Sequence, residues 1–403
     1  MRNGVIRHAS VTQSRASLNW RSPFARRSIL DTLRVRACGV FSLSLLAPAG
    51  SRAQRTSVET VLITDALSCS RCSIAAQTLH VLGASDGPGS ISPVIRVVRV
   101  DARGRYWVVS GDEPPLVFDT TGRFLRLAGR AGRGPGEFIR PRDVVTVAGD
   151  SVLVIDGANR RAALLSSNFE LGRTIALPYP FAPLVILKWP DAVVANGMMA
   201  TTASSGWPLH QLSFADRTAT VLGSFGPDSG AMAPGAFARI AQVLTPSASG
   251  GYWAADYLRY RLTHWTPTGT KTSALERRPG WFARPSELEI GRPDRAPDPA
   301  ISSIAEDAEG LLWVFVRTPA RGWREAWPKT GPRGEVDYRS LANEKLFQTM
   351  VEVIDPRANR VVARQQFDAW LVSALPNRRA AVYTTDSDGV PHVTILQLRL
   401  NGR

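Results

Sequence analysis

Hydrophobic residues along the chain gather into short aliphatic or aromatic runs, each set off by clusters of Gly, Pro, Asn and Asp. A turn followed by such a run recurs six times: "DARGRYWVV" at Asp101, "VAGDSVLVI" at Val147, "WPDAVVA" at Trp189, "SASGGYWAA" at Ser247, "DAEGLLWVF" at Asp307 and "PNRRAAVY" at Pro376. Apolar segments such as "IRVVRV", "DVVTV" and "ARIAQVL" precede them, so the repeating unit reads as strand, tight turn, strand. The runs are too short and too rich in β-branched and aromatic residues for helices, and Gly, Asn and Asp supply the turn conformations. A second turn follows in most units, as in "FDTTGRFLRL" at Phe118 and "IDPRANRVVA" at Ile354.

Two hairpins per unit predict a four-stranded antiparallel sheet that cannot bury both of its faces alone, so copies must stack. Six such sheets arranged radially predict an all-β fold, a six-bladed β-propeller. Gly/Pro-rich stretches recur between units: "TLHVLGASDGPGSISP", "FLRLAGRAGRGPGEFIRP" and "TATVLGSFGPDSGAMAPGAF". Each reads as an outer strand followed by a connector to the innermost strand of the next blade. The first copy precedes blade 1, so its strand is expected to complete blade 6 as an N-terminal clasp, leaving no open edge in the ring.

The run "GRGPGEFIRPRDV" leading into "VIDGANRRAALL" resembles the connector, strand and D-x-x-N-x-R turn of NHL-like six-bladed β-propellers, here Asp156, Asn159 and Arg161. Blade 4 carries a degraded copy, "AADYLRYRLTHW", with Asp256 and Arg261 but Arg259 in place of the Asn. The resemblance covers most of the chain as architecture and two blades as motif. It implies a fold and no particular function.

Charge and cysteines set the compartment. Of a formal net charge of +15, a large share lies in residues 1–53, which hold nine arginines against one acid, Asp31. Arginines run to Arg36, then "ACGVFSLSLLAPAGS" is uncharged and ends among small residues, the pattern of a cleaved export signal over 1–53. That run is too short and too interrupted by Pro48 and Gly50 for a membrane span. Residues 54–74 then form an N-terminal segment with a C-x-x-C pair, and 75–403 the propeller. In an exported protein Cys69 and Cys72 are expected to form a local disulfide. The expected location is periplasmic or secreted, and the expected state a monomer. Lacking a basic stripe or a reader motif, the chain is not expected to bind nucleic acid.

Catalytic signatures are sparse. The glycine-rich "GRAGRGPGEF" leads into a strand rather than a helix, which argues against a phosphate loop. Neither G-x-S-x-G nor H-E-x-x-H occurs. A metal-dependent hydrolase or lyase remains an alternative, with calcium in the channel held by Asp156, Asn159 and Asp256; otherwise no cofactor is expected.

More informative are three long connections: Thr318–Leu346 within a hairpin of blade 5, Glu276–Pro299 between blades 4 and 5, and Asn196–Gln211 within blade 3. In a propeller, loops between second and third strands emerge on the same face as the blade-to-blade connectors. These insertions should therefore crowd one mouth of the channel with Trp207, Trp281, Arg284, Trp323, Arg324 and Trp327. Aromatics beside arginines suit an anionic or glycan-like ligand, or a protein partner, through stacking and bidentate ion pairing. The competing reading is that the tryptophans pin the loops to the blade tops.

Overall fold

The computed structural model describes residues 58–178, 185–188, 193–197, 208–226, 241–282, 295–327 and 343–403. Six four-stranded antiparallel blades follow one another along the chain. After two N-terminal strands, β1 (Thr60–Ile63) and β2 (Ser73–Leu82), blade 1 is β3 (Ile95–Val100), β4 (Tyr106–Ser110), β5 (Leu116–Phe118) and β6 (Phe124–Leu127). A connector holds the short parallel pair β7 (Arg130–Ala131) and β8 (Glu137–Phe138). Blade 2 is β9 (Pro141–Thr146), β10 (Val152–Asp156), β11 (Arg161–Leu165) and β12 (Leu171–Ala176). Blade 3 is β13 (Val185–Lys188), β14 (Val193–Asn196), β15 (Leu209–Ser213) and β16 (Thr220–Phe225). Blade 4 is β17 (Gln242–Pro246), β18 (Tyr252–Asp256), β19 (Arg261–Trp265) and β20 (Lys271–Arg277). Blade 5 is β21 (Ala300–Glu306), β22 (Leu312–Pro319), β23 (Phe347–Asp355) and β24 (Arg360–Phe367). Between β22 and β23 the described residues include two single-turn helices, α1 (Trp323–Ala326) and α2 (Asn343–Leu346). Blade 6 is β25 (Leu371–Leu375), β26 (Arg379–Thr385), β27 (Pro391–Asn401) and, as its outer strand, β2.

The N-terminal strand thus closes the ring as the repeat pattern predicts. The innermost strands β3, β9, β13, β17, β21 and β25 touch in a cycle, β25 returning to β3. Strand periodicity sets the packing, because neighbouring residues point to opposite faces. Trp107 joins Val144 and Val154 of blade 2, whereas Val108 joins Val393 and Ile395 of blade 6. Each interface between adjacent blades carries its own cluster of buried apolar side chains in this way. A fully buried Val or Leu there contributes about 1.5–3 kcal/mol.

The turns are held by their own side chains. Asp101 accepts the amides of Arg103 and Arg105, each at 3.0 Å, and the indole N–H of Trp107 at 2.9 Å. In blade 5 Asp307 does the same for Glu309, Leu311 and Trp313. Gly104 and Gly310 fill the left-handed position of these turns, at φ 77° and 78°. The D-x-x-G-x-x-W spacing therefore fixes a turn and seats a core tryptophan at once.

The segment before β2 is more engaged than a tail. β1 pairs in parallel with β20 on the outer edge of blade 4. Ser68 donates its amide (2.8 Å) and hydroxyl (2.9 Å) to the Val361 carbonyl on blade 5. Cys69 and Cys72 form a disulfide, and the chain then enters blade 6 as β2. One ribbon therefore runs along the rims of blades 4, 5 and 6. Among the described residues, no helix is long and apolar enough to cross a membrane.

Candidate functional site

The channel is lined by the innermost strands of all six blades, which enclose a cavity of about 610 Å³ toward their C-terminal ends. At the opposite mouth the connectors enter and the loops between second and third strands emerge. The blade 5 insertion and its neighbours meet there. Trp323 and Trp327 pack with Leu346 and Phe347, and Ala296 from the preceding connector and Trp370 from the following one close the cluster. Both tryptophans are largely buried, at 5% and 8% exposure, so they anchor the loop. Arg324 stays exposed, its guanidinium 4.7 Å from the centre of the Trp323 ring.

Trp281 lies elsewhere. It packs edge-on against Tyr260 and Phe282 in the cluster between blades 4 and 5, with the Arg364 guanidinium 5.6 Å from its ring. Trp207 and Arg284 fall outside the described residues. Of the expected aromatic rim, the structure brings together Trp323, Arg324 and Trp327 and sets Trp281 apart.

The residues considered for calcium are occupied differently. Asp156 is fully buried, and its carboxylate accepts the amides of Ile139 and Arg140 at 3.2 Å and the side-chain amide of Asn159 at 2.6 Å. Asn159 also donates to the Gly132 carbonyl, and Arg161 donates to the carbonyls of Gly134 (2.6 Å) and Glu137 (2.8 Å). The D-x-x-N-x-R turn is thus a clamp on the backbone of the "GRAGRGPGEFIR" connector. The tight path needs glycine: a Cβ on Gly129, at φ 103°, would stand 2.5 Å from the Gly136 carbonyl oxygen. Asp256 accepts from the Gln242 side chain at 2.7 Å, two blades away from Asp156. Among the described residues no three His, Cys, Asp or Glu side chains come together as a metal site.

The clamp positions a group of residues that the motifs did not single out. Arg140 leaves the connector just before β9, and Arg142 is a bulged residue within β9. Arg96 is the bulged residue at the same place in β3 of blade 1. Asp112, in the following loop of blade 1, accepts from Arg96 at 2.8 Å and from Arg140 at 3.1 Å. Arg142 has neither a hydrogen bond nor an ion pair among the described residues. Burial pushes its pKa down, the charges of Arg96 and Arg140 push the same way, and Asp112 opposes them. Arginines two positions apart after the connector, together with Arg96 at the matching point of the preceding blade, were the available sequence signal.

A second arginine group is internally balanced. Arg277 and Arg364 both donate to Glu352 and to Asp65, and the Tyr260 hydroxyl donates to Glu352. Glu352 is fully buried and the Arg277 side chain is 1% exposed. Asp65 belongs to the N-terminal ribbon, so the group ties that ribbon to blades 4 and 5.

No protein-family model matches the chain, and no curated protein matches it. Solved structures resemble it as folds. A candidate exported protein of Bacteroides fragilis superposes with a TM-score of 0.57 at 10% identity, over 85% of this chain and 100% of its own. A member of the DUF4221 family from Bacteroides vulgatus gives 0.56 at 9% identity, over 81% and 98%. A virginiamycin B lyase from Staphylococcus aureus gives 0.44 at 10% identity, over 81% and 99%. Together with the six sheets, the two Bacteroides structures define the class of protein as a six-bladed β-propeller.

Proposed function

We propose that the chain is an exported, NHL-like binding module, periplasmic or secreted, that takes its ligand or protein partner at the connector mouth of the channel. The observation that carries this reading is the fixed blade 5 loop. Trp323 and Trp327 hold it down against both flanking connectors while Arg324 faces solvent above an aromatic ring. Long loops on a rigid scaffold are where proteins commonly place recognition. A guanidinium backed by an indole suits an anionic or glycan-like group, which it can meet by ion pairing or by stacking. The export-signal pattern of residues 1–53 and the fold shared with a candidate exported protein support the compartment.

A ligand panel of acidic sugars and dicarboxylates, read by thermal shift and then by calorimetry, tests this on protein beginning at residue 54. Arg324→Ala is expected to weaken binding at least tenfold with little change in melting temperature. Trp323→Ala is expected to lower the melting temperature itself, because it empties a buried site. Unchanged affinity of Arg324→Ala for every ligand that binds the parent would end the loop reading.

A further inference from the structure

We propose that Arg96, Arg140 and Arg142 form a receptor for a doubly charged oxyanion, a sulfate or phosphate group, between blades 1 and 2 at the connector mouth. Three guanidiniums stand here with Asp112 as their carboxylate among the described residues, leaving the group short of negative charge by two units. Asp112 is 53% exposed and already divided between Arg96 and Arg140. Arg142 is half-buried and, among the described residues, has no hydrogen bond or ion pair of its own. A half-buried cation that shares the charge of Asp112 with two other arginines is poorly compensated, and a fixed set of such cations can take up an anion.

The backbone makes the set rigid rather than incidental. Arg96 and Arg142 occupy equivalent bulges at the starts of adjacent innermost strands, where the residue is released from the ladder and its side chain is re-aimed. Arg140 is fixed because its own amide is held by Asp156 of the D-x-x-N-x-R clamp. Arg96 is further tied through its Nε to the Gly111 carbonyl at 2.9 Å. The clamped connector and the strand it enters thus deliver two of the three cations, and the planar forks of arginine match the oxygens of a tetrahedral anion.

This receptor does not depend on the blade 5 loop, and the experiment keeps the two readings apart. Thermal shift and calorimetry with inorganic sulfate, against sodium chloride at equal ionic strength, are run on protein beginning at residue 54. Sulfate also stabilises proteins generally by exclusion from their surfaces, so the informative quantity is the part lost on mutation. Arg142→Ala and Arg142→Gln are expected to lose the saturable sulfate response, Arg142→Lys to keep part of it, and Arg324→Ala to keep all of it. Asp112→Asn removes the competing carboxylate and is expected to tighten binding roughly fivefold, the scale of one unit charge about 4 Å away in water. A sulfated monosaccharide forms the second arm: tighter binding than inorganic sulfate places the anion on a sugar, and equal or weaker binding assigns the site to the free ion. A sulfate response that is absent from the parent, or that survives intact in both neutral Arg142 variants, overturns the proposal.

Discussion

Between blades 4 and 5, Arg277 and Arg364 meet Glu352 and Asp65, cations matched by anions; between blades 1 and 2, Arg96, Arg140 and Arg142 gather around Asp112. The first group has a dry interior, with Glu352 fully buried, the Arg277 side chain 1% exposed and Tyr260 supplying a further donor to Glu352, although Asp65 at its rim is about as exposed as Asp112. The second lies at a channel mouth, with an exposed carboxylate and a cation that, among the described residues, has no hydrogen bond or ion pair. The same residue type therefore serves two purposes. Where charge balances around a buried carboxylate, arginine fixes architecture; where charge is in excess beside an opening, it is available to a ligand.

The comparison breaks most sharply at Glu352. Glu352→Gln leaves two guanidiniums facing a neutral group inside the protein, and loss of one partner from such a buried network costs about 3–5 kcal/mol. Chemical denaturation should show a large fall in midpoint, and the N-terminal ribbon should become more open to proteases. A loss under about 1 kcal/mol, the range of an exposed pair, would mean that burial does not isolate this group from water.

Asp65 comes next in size. It is 51% exposed and receives Arg277 and Arg364 from the rim, while Glu352 holds the same arginines from inside. Asp65→Asn should therefore cost about 1 kcal/mol or less, with a deficit that shrinks as salt is raised. Equal losses for the Asp65 and Glu352 variants would show that the ribbon, rather than the blade interface, carries the stability of the cluster.

The two groups also differ in how far they could be read from sequence. Hairpins, blade count and the clasp were legible because each rests on local signals: alternating apolar runs, left-handed glycines such as Gly104, and Asp101 or Asp307 six residues before a tryptophan. The D-x-x-N-x-R turn was legible as a motif, but its clamp on the connector was not, because it joins side chains of the turn to backbone groups upstream of β9. By contrast, Asp65 meets Arg277 and Arg364 across most of the chain, and nothing near any of these residues announces a partner. The parallel addition of β1 to blade 4 was invisible for a related reason, since parallel pairing requires no adjoining turn. Trp281 and Trp323 look alike on the page, yet one follows an outer strand and the other lies within a loop between second and third strands, so the blades carry them to separate clusters.

Asp112 gives the smallest effect and the finest discrimination. Burial acts to raise its pKa, but hydrogen bonds and charge from Arg140 and Arg96 outweigh that and hold the carboxyl below the usual range. A carboxylate depressed on folding contributes stability above its unfolded pKa, near 4, and that contribution is lost as pH falls through the lower folded value. Acidification therefore weakens the fold slightly at this site. The same proton removes the negative charge that competes with a bound anion, so sulfate, which stays charged across this window, should bind more tightly as stability declines. In Asp112→Asn both trends should flatten, with sulfate affinity at neutral pH already near the value the parent reaches in acid. Calorimetric titrations from pH 6 down to about pH 2.5, past the unfolded carboxylate pKa near 4, measure this crossing of signs. Parallel slopes for stability and affinity in the parent would show that Asp112 does not contest the arginines with the ligand, and that the charge excess at this mouth is solvated surface.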